Sequence, residues 1–217
     1  MCIAAKAPRF NNLYEKNKKA YFYELTKALI NLNITTVVLT GDTEPTIQRD
    51  WLRNVIEFLK KEFPYIDIEL QTHVYRQYPD ADISCYSITT VRDMVDFIHS
   101  PVRSHENSRV VFLATEEIIT NLYNDKKVCK MFAARQITFK ILQPTAYHSR
   151  EEDHYIEFRG VKAEDKRLKR LVRRFKFKRK SVRLDVNCQA AEGRYKIFRE
   201  DGNVYSSWEA KVSERIY

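Results

Sequence analysis

The feature that most constrains the fold is the alternation of short apolar strand patterns with amphipathic helical patterns along the first 145 or so residues. Five apolar, β-branched segments have the length of strands: residues 34–39, 65–70, 82–88, 109–113 and 137–142. Between them apolar residues recur at helical spacing, as at Leu52, Val55 and Leu59. Strands that alternate with helices are typical of a parallel sheet with helical crossovers. The sequence therefore predicts an α/β fold.

Two helix starts can be placed from their capping residues. Thr90 and Asp93 have the spacing of a capping box, in which each side chain accepts a hydrogen bond from the other residue's backbone N–H. Thr115 is a second predicted N-cap, and the two glutamates that follow it favour the positive end of a helix dipole.

The character of the chain changes near residue 150. A charged, histidine-bearing stretch is followed by a basic helical pattern and by short alternating strands, with Asp201-Gly202 as a hairpin turn. We therefore predict a core over residues 1–150 and a small basic α+β extension with a β-hairpin over residues 151–217.

The net charge of +9 comes from one segment. Residues 162–183 contain 12 Lys and Arg against only Glu164 and Asp165, so the rest of the chain is nearly neutral. Such a segment predicts electrostatic binding of a nucleic-acid backbone, and a solvated basic helix face is the alternative. Its aromatic residues suit either base stacking or core packing. The predicted nucleic-acid contacts are Lys166, Arg167, Lys169, Arg170, Arg173 and Arg174.

Several classes of site are excluded by motif. The four glycines build neither a dinucleotide-binding loop nor a P-loop, and no zinc-binding or nucleophile-elbow motif occurs. The four cysteines are scattered without a C-x-x-C pair, which is typical of a reduced, intracellular protein. We find no signal peptide and no apolar run long enough to cross a membrane, so we expect a cytoplasmic protein with no membrane partner.

The segment T-G-D-T-E-P-T-I at residues 40–47 lies between the first predicted strand and a helix starting near Gln48. Taken alone, it is an ordinary βα turn, with a glycine for the bend, Pro45 to set φ and Thr46 as the helix N-cap. It is also at the carboxyl end of a strand, where α/β folds bind ligands.

Two segments together resemble the radical S-adenosylmethionine (SAM) superfamily. M-C-I-A-A-K at residues 1–6 is similar to the end of that family's C-x3-C-x2-C motif, and residues 40–47 are similar to its T-G-x-G-E-P-T-L motif, with Thr43 at the second glycine. Residues 83–88 and 137–143 resemble its fourth and sixth strands. The resemblance covers about residues 1–145. It implies a partial (βα)6 TIM-like barrel that lacks its first strand, followed by the basic extension.

The resemblance also implies site residues and chemistry. Cys2 would ligate a 4Fe–4S cluster, the turn of Gly41, Thr43, Glu44 and Pro45 would bind the amino group of SAM, and Ser87 would face its ribose. In intact form such a protein reductively cleaves SAM at the cluster. The 5′-deoxyadenosyl radical that is released then abstracts hydrogen from a substrate, which the resemblance does not identify.

The sequence departs from the family at its start. The chain begins one residue before the third motif cysteine, so the first strand and the first two cluster cysteines are absent together. Loss of the N-terminal end of the reading frame explains both, and we expect no cluster in this chain as written. Two alternatives stay open: Cys2 is an ordinary terminal thiol, and the protein is a non-catalytic nucleic-acid-binding protein that uses residues 162–183.

Overall fold

The computed structural model describes residues 12–40, 44–104, 107–132, 134, 136–141, 160–177, 181–185, 196–206 and 215. The chain folds into two compact units. The first is made of Met1–Ile68 together with Gln189–Tyr217, and the second is Glu69–Cys188.

The first unit combines helices from the start of the chain with a hairpin from its end. Its helices are α1 (Leu13–Lys16), α2 (Lys18–Asn31) and α3 (Arg49–Glu62), with a 3₁₀ turn at Pro45–Ile47. Strand β1 (Thr36–Leu39) follows α2, and β7 (Ile197–Phe198) pairs antiparallel with β8 (Val204–Tyr205). The backbone N–H of Asp67, where strand β2 begins, donates to the carbonyl of Thr35 at 3.0 Å.

Contacts between the two ends of the chain hold the hairpin in the first unit. The Leu13 N–H donates to the Glu200 carbonyl at 2.6 Å, and the Tyr21 and Phe198 rings lie edge to face at 5.2 Å. The predicted turn at Gly202 is confirmed. Its φ of 79° favours glycine, and a Cβ there would lie 2.5 Å from a Leu13 methyl carbon.

The second unit is built on parallel strands in chain order. After β2 (Asp67–Thr72) come β3 (Ile83–Ile88), β4 (Ser108–Leu113), β5 (Gln136–Lys140) and β6 (Ser181–Asp185), each hydrogen-bonded in parallel to the one before. The helices between them are α4 (Val91–His99), α5 (Glu116–Asn124), α6 (Lys126–Met131) and α7 (Lys166–Phe177), with a 3₁₀ turn at Pro101–Ser104.

One face of this sheet carries the apolar core. Side chains alternate between the two faces of a strand, and on one face Phe112 and Phe139 pack with Phe97 of α4, Phe132 after α6 and Phe175 of α7. All five phenylalanines are fully buried. Burying this much apolar surface is the main favourable term in folding the unit. The same cluster includes residues of α4, α5, α6 and α7, so these helices cover a single face.

The structure confirms the α/β prediction and both predicted helix caps. Thr90 and Asp93 form the capping box of α4, and the Thr115 side chain accepts from the Ile118 N–H at the start of α5. The prediction that Thr46 caps a helix was wrong. Helix α3 begins after Gln48, which makes no side-chain capping bond, while Glu44 caps the preceding 3₁₀ turn because its carboxylate reaches the Thr46 N–H.

The basic helix is part of the sheet unit. Helix α7 returns the chain to the sheet, and β6 pairs with β5 over the register Gln136 to Ser181 and Lys140 to Asp185. The hairpin, in contrast, belongs to the first unit. Helix α7 and strand β6 therefore belong to the second unit and the hairpin to the first.

Candidate functional site

The turn after β1 holds Glu44 in a defined position. One oxygen of its carboxylate accepts from the Thr46 N–H at 3.1 Å, and the Ile47 N–H donates to the Glu44 carbonyl at 3.1 Å. Pro45 and Thr46 are buried, whereas Glu44 is half-buried. The local sequence thus fixes a carboxylate at the carboxyl end of a strand. Gly41 and Thr43, also predicted to bind SAM, lie outside the described residues.

Ser87 lies in the second unit, on β3. Its neighbours in the register are Val111 on β4 and, one strand further, Thr138 on β5. This row is on the face opposite the apolar core, and Ser87 is half-buried there. The backbone carbonyl of Ser87 accepts from the Tyr75 hydroxyl at 2.9 Å, which fixes the strand end. Glu44 and Ser87 belong to different units.

A polar sheet face surrounds Ser87. This face, which we call the polar face, is the one opposite the apolar core of the second unit, and most of its side chains are half-buried. Its polar and charged members include Glu69, Gln71, Cys85, Ser87, Arg109, Gln136, Thr138, Lys140, Ser181 and Arg183. A sheet whose second face is polar and only half covered can accept a polar ligand there.

An ion pair with further hydrogen bonds lies on the polar face. The Arg109 Nη1 donates to a Glu69 carboxylate oxygen at 2.6 Å, and the Arg109 Nε donates to the Gln136 Oε1 at 2.9 Å. Gln71 donates to the other oxygen of Glu69 at 3.3 Å. The Glu69 side chain is only 5% exposed. Burying a charge is costly unless the charge is paired and hydrogen-bonded, as it is here. We did not predict this network from the sequence, although polar and apolar residues alternate along β2 and β5.

The cysteines of the described chain do not fit an iron–sulfur cluster. Cys2 and Cys188 lie outside the described residues, while Cys85 and Cys129 are both buried. Burial, with a smaller contribution from nearby Glu69, raises the pKa of the Cys85 thiol far above its usual range, so it stays protonated. Cys129 donates through its sulfur to the Leu122 carbonyl. No group of three metal-binding side chains occurs among the described residues, whereas the cluster needs three thiolates.

Helix α7 has two chemically different faces. Leu168, Leu171 and Phe175 are fully buried against the core, which explains the apolar stripe in an otherwise basic sequence. On the sides of the helix, Arg167 bridges Glu116 of α5, with 2.8 Å between Nη2 and Oε2, and Asp165 at 2.9 Å. Hydrogen bonds from Arg167 hold the pKa of both carboxyls below their usual range.

Two further arginines of α7 bind the neighbouring helix. The Arg170 Nη1 donates to the Tyr123 hydroxyl at 2.6 Å. The Arg174 Nη1 donates to the Leu122 carbonyl at 3.0 Å, near the end of α5, where the carbonyls lack helical partners. Three of the six residues predicted to bind nucleic acid therefore make intramolecular contacts.

The other predicted contacts point outward. Lys166, Lys169 and Arg173 are exposed and, in the described chain, have neither an ion pair nor a hydrogen bond from their side chains. Lys162 and Lys176 share both properties and continue the same three- or four-residue spacing. Lys166, Lys169, Arg173 and Lys176 lie on one side of α7, and Lys162 precedes the helix by four residues. We call these five residues the basic stripe.

Comparison with known proteins gives no assignment: no protein-family model matches the sequence, and no curated protein matches it significantly. None of the helices in the described segments has the length and apolar character needed to span a membrane.

Proposed function

We propose that this chain is a radical SAM-type protein built on a partial (βα)6 TIM-like barrel. The observation that carries the proposal is the singly wound sheet of the second unit, in which parallel strands follow chain order and all the packed helices share one face. In a doubly wound sheet the strand order reverses and helices cover both faces. A barrel instead places its helices outside and leaves the other face of the sheet for its interior.

The polar face supports the same proposal. In this account it is the interior of the partial barrel, where Ser87 faces the ribose of SAM. The Glu69–Arg109 pair and Gln136 then line the start of the strands. The turn of Gly41, Thr43, Glu44 and Pro45 binds the amino group of SAM. A carboxylate suits this role because it accepts hydrogen bonds from an ammonium group in a charge-assisted pair.

The cluster chemistry needs residues beyond those described. When bound, a 4Fe–4S cluster supplies the electron that cleaves SAM, and Cys2 is the one ligand that the resemblance assigns in this chain. The described cysteines, Cys85 and Cys129, do not fit the cluster. We further propose a cytoplasmic location, since Cys85 is a buried free thiol, as is typical of proteins in a reducing compartment.

The first test is the sequence encoded upstream of Met1 in the gene, read together with the intact mass of the protein made by its native host. The proposal expects a product that contains C-x3-C-x-M-C, ending at Cys2. A native product without cysteines at these two positions would contradict the enzymatic proposal.

A second candidate function is nucleic-acid binding through the basic segment, with or without catalysis. The observation that favours it is the basic stripe, whose exposed cations have no acidic partners in the described chain. Cations that neutralise phosphates release counterions, so this binding should weaken steeply with salt. Titration of the protein into labelled DNA and RNA at several salt concentrations tests it, and the absence of any binding at low salt would contradict it.

A further inference from the structure

The outward cations of α7 define which kind of nucleic acid the protein can hold. We infer that the basic stripe of Lys162, Lys166, Lys169, Arg173 and Lys176 binds a double helix by its phosphate backbone, without stacking on bases. This inference rests on the second candidate function above and specifies its partner and its contact residues.

The first argument is that only some of the basic residues have partners inside the protein. Arg167 and Arg174 are half-buried and hold α7 against α5 through Glu116 and the Leu122 carbonyl. Their positive charge is used inside the protein. The basic stripe has no such partner within the described residues, so its charge is available to a ligand. Glu164, an acidic residue just before the helix, is exposed.

The second argument is geometry. From Lys166 to Lys176 the stripe rises about 15 Å along the helix at 1.5 Å per residue. The Cβ atoms of neighbouring residues at this spacing are about 5–6 Å apart. A rigid line of cations suits the regular, dense charge of a duplex backbone, which carries one charge per about 1.7 Å of axis. The opposite side of α7 is buried in the core, so the helix offers one face to a backbone.

The third argument concerns the aromatic residues. Binding of single strands depends on exposed aromatic side chains on which bases stack. Phe175 is fully buried and packs 6.1 Å from Phe139, between ring centroids. Tyr123, the nearest tyrosine, accepts from Arg170 and is half-buried. The described part of α7 therefore offers charge without a stacking platform. Readout through the backbone alone carries no sequence information.

The test is binding of the full chain to fluorescent probes by anisotropy at 50–200 mM salt. The probes are duplex DNA and duplex RNA of two unrelated sequences and the matching single strands. For at least one duplex type, DNA or RNA, we expect the two sequences to bind with equal affinity. We also expect that duplex to bind more tightly than its matching single strands. The DNA and RNA arms show which duplex the protein prefers.

Charge reversal then assigns the contact. In the triple variant Lys166→Glu, Lys169→Glu, Arg173→Glu we expect the slope of log K against log salt to become less negative by about 3. Each lost phosphate contact should change the slope by about 0.9. The matched control is Lys126→Glu, Lys127→Glu, Lys130→Glu, which changes the same charge on exposed positions of α6. We expect this control to keep the wild-type slope. Circular dichroism of both variants checks that they are folded.

Other results distinguish a failure of this inference from a failure of the proposal that the basic segment binds nucleic acid. Tighter binding to single strands, or an unchanged salt slope in the α7 variant, overturns the inference while nucleic-acid binding stands. Binding only to vesicles containing an anionic lipid, with no nucleic-acid binding at 50 mM salt, overturns both.

Discussion

At the scale of single residues, Glu44 combines two roles that one substitution can separate. Its carboxylate caps the 3₁₀ turn by accepting from the Thr46 N–H, and we propose that its charge attracts the amino group of SAM. Glutamine retains an acceptor oxygen for the cap and loses the charge. The change from Glu44 to Gln should therefore leave the fold unchanged and remove the electrostatic part of SAM binding.

For Glu44→Gln we expect the Kd for SAM to rise roughly 10-fold or more, since a hydrogen bond to a charged group contributes about 1.5–3 kcal/mol. The free energy of unfolding should change little. Calorimetric titration of reconstituted protein with SAM, beside urea unfolding, measures both. Glu57→Gln on the exposed side of α3 is the matched control. Equal SAM affinity in both variants would show that Glu44 does not bind SAM.

The Glu69–Arg109 pair makes a prediction about stability. Arg109→Met leaves the buried Glu69 carboxylate without its cation, and we expect a loss of about 3 kcal/mol in the free energy of unfolding. Adding Glu69→Gln should recover part of this loss, because the uncompensated charge is then gone. A double-mutant cycle by urea unfolding measures the coupling. Strictly additive losses would mean that the pair contributes no coupling.

At the scale of elements, the start of α4 depends on Asp93. Its carboxylate accepts from the N–H groups of Thr89 and Thr90 at 3.0 and 2.9 Å and from the Thr89 hydroxyl at 2.7 Å. Burial alone raises the pKa of Asp93, but the hydrogen bonds from Thr89 and Thr90 outweigh it and lower the pKa overall. A lowered pKa in the folded state stabilises the protein above the ordinary pKa of Asp, and this stabilisation is lost as pH falls through the folded-state value.

We therefore expect Asp93→Asn to cost about 1 kcal/mol at neutral pH. The difference from wild type should shrink as the pH falls below the ordinary pKa of Asp. Thermal unfolding from pH 7 to pH 3 measures it, with Asp96→Asn, an exposed position on the same helix, as the control. A difference that stays constant over this range would show that the charge of Asp93 is not what stabilises the cap.

Helix α7 shows how one element serves both packing and surface charge. Its apolar residues complete the core, Arg167, Arg170 and Arg174 bind α5, and its other cations belong to the basic stripe. The composition of this segment could be predicted from the sequence. The division between internal and outward cations could not, because it depends on Glu116, Leu122 and Tyr123 of a distant segment.

At the scale of the whole molecule, local patterns predicted most of the elements. Strand and helix positions follow from periodicity, and the caps at Thr90 and Thr115 follow from side chains within one helical turn. The pairing of the hairpin with the first helices could not be predicted, because Leu13 and Glu200 come from opposite ends of the chain. The polar face was also missed. Val111 and Leu113 share that face with Arg109, so the sequence of β4 does not alternate between polar and apolar residues.

The candidate site was predictable only in part. The position of Glu44 after a strand and that of Ser87 on a strand follow from sequence. The register that sets Ser87 beside Thr138, two strands away, and the Glu69–Arg109–Gln136 network depend on how strands pair, which no short motif specifies.

The most direct test of the radical SAM proposal is reductive cleavage of SAM. The protein made from its native gene with the upstream coding sequence, purified and reconstituted without oxygen, should bind iron and sulfide and release 5′-deoxyadenosine and methionine when dithionite and SAM are added. Cys2→Ser should abolish both the iron binding and the products. A native protein that binds no iron, or that holds a cluster and leaves SAM intact, would contradict the account.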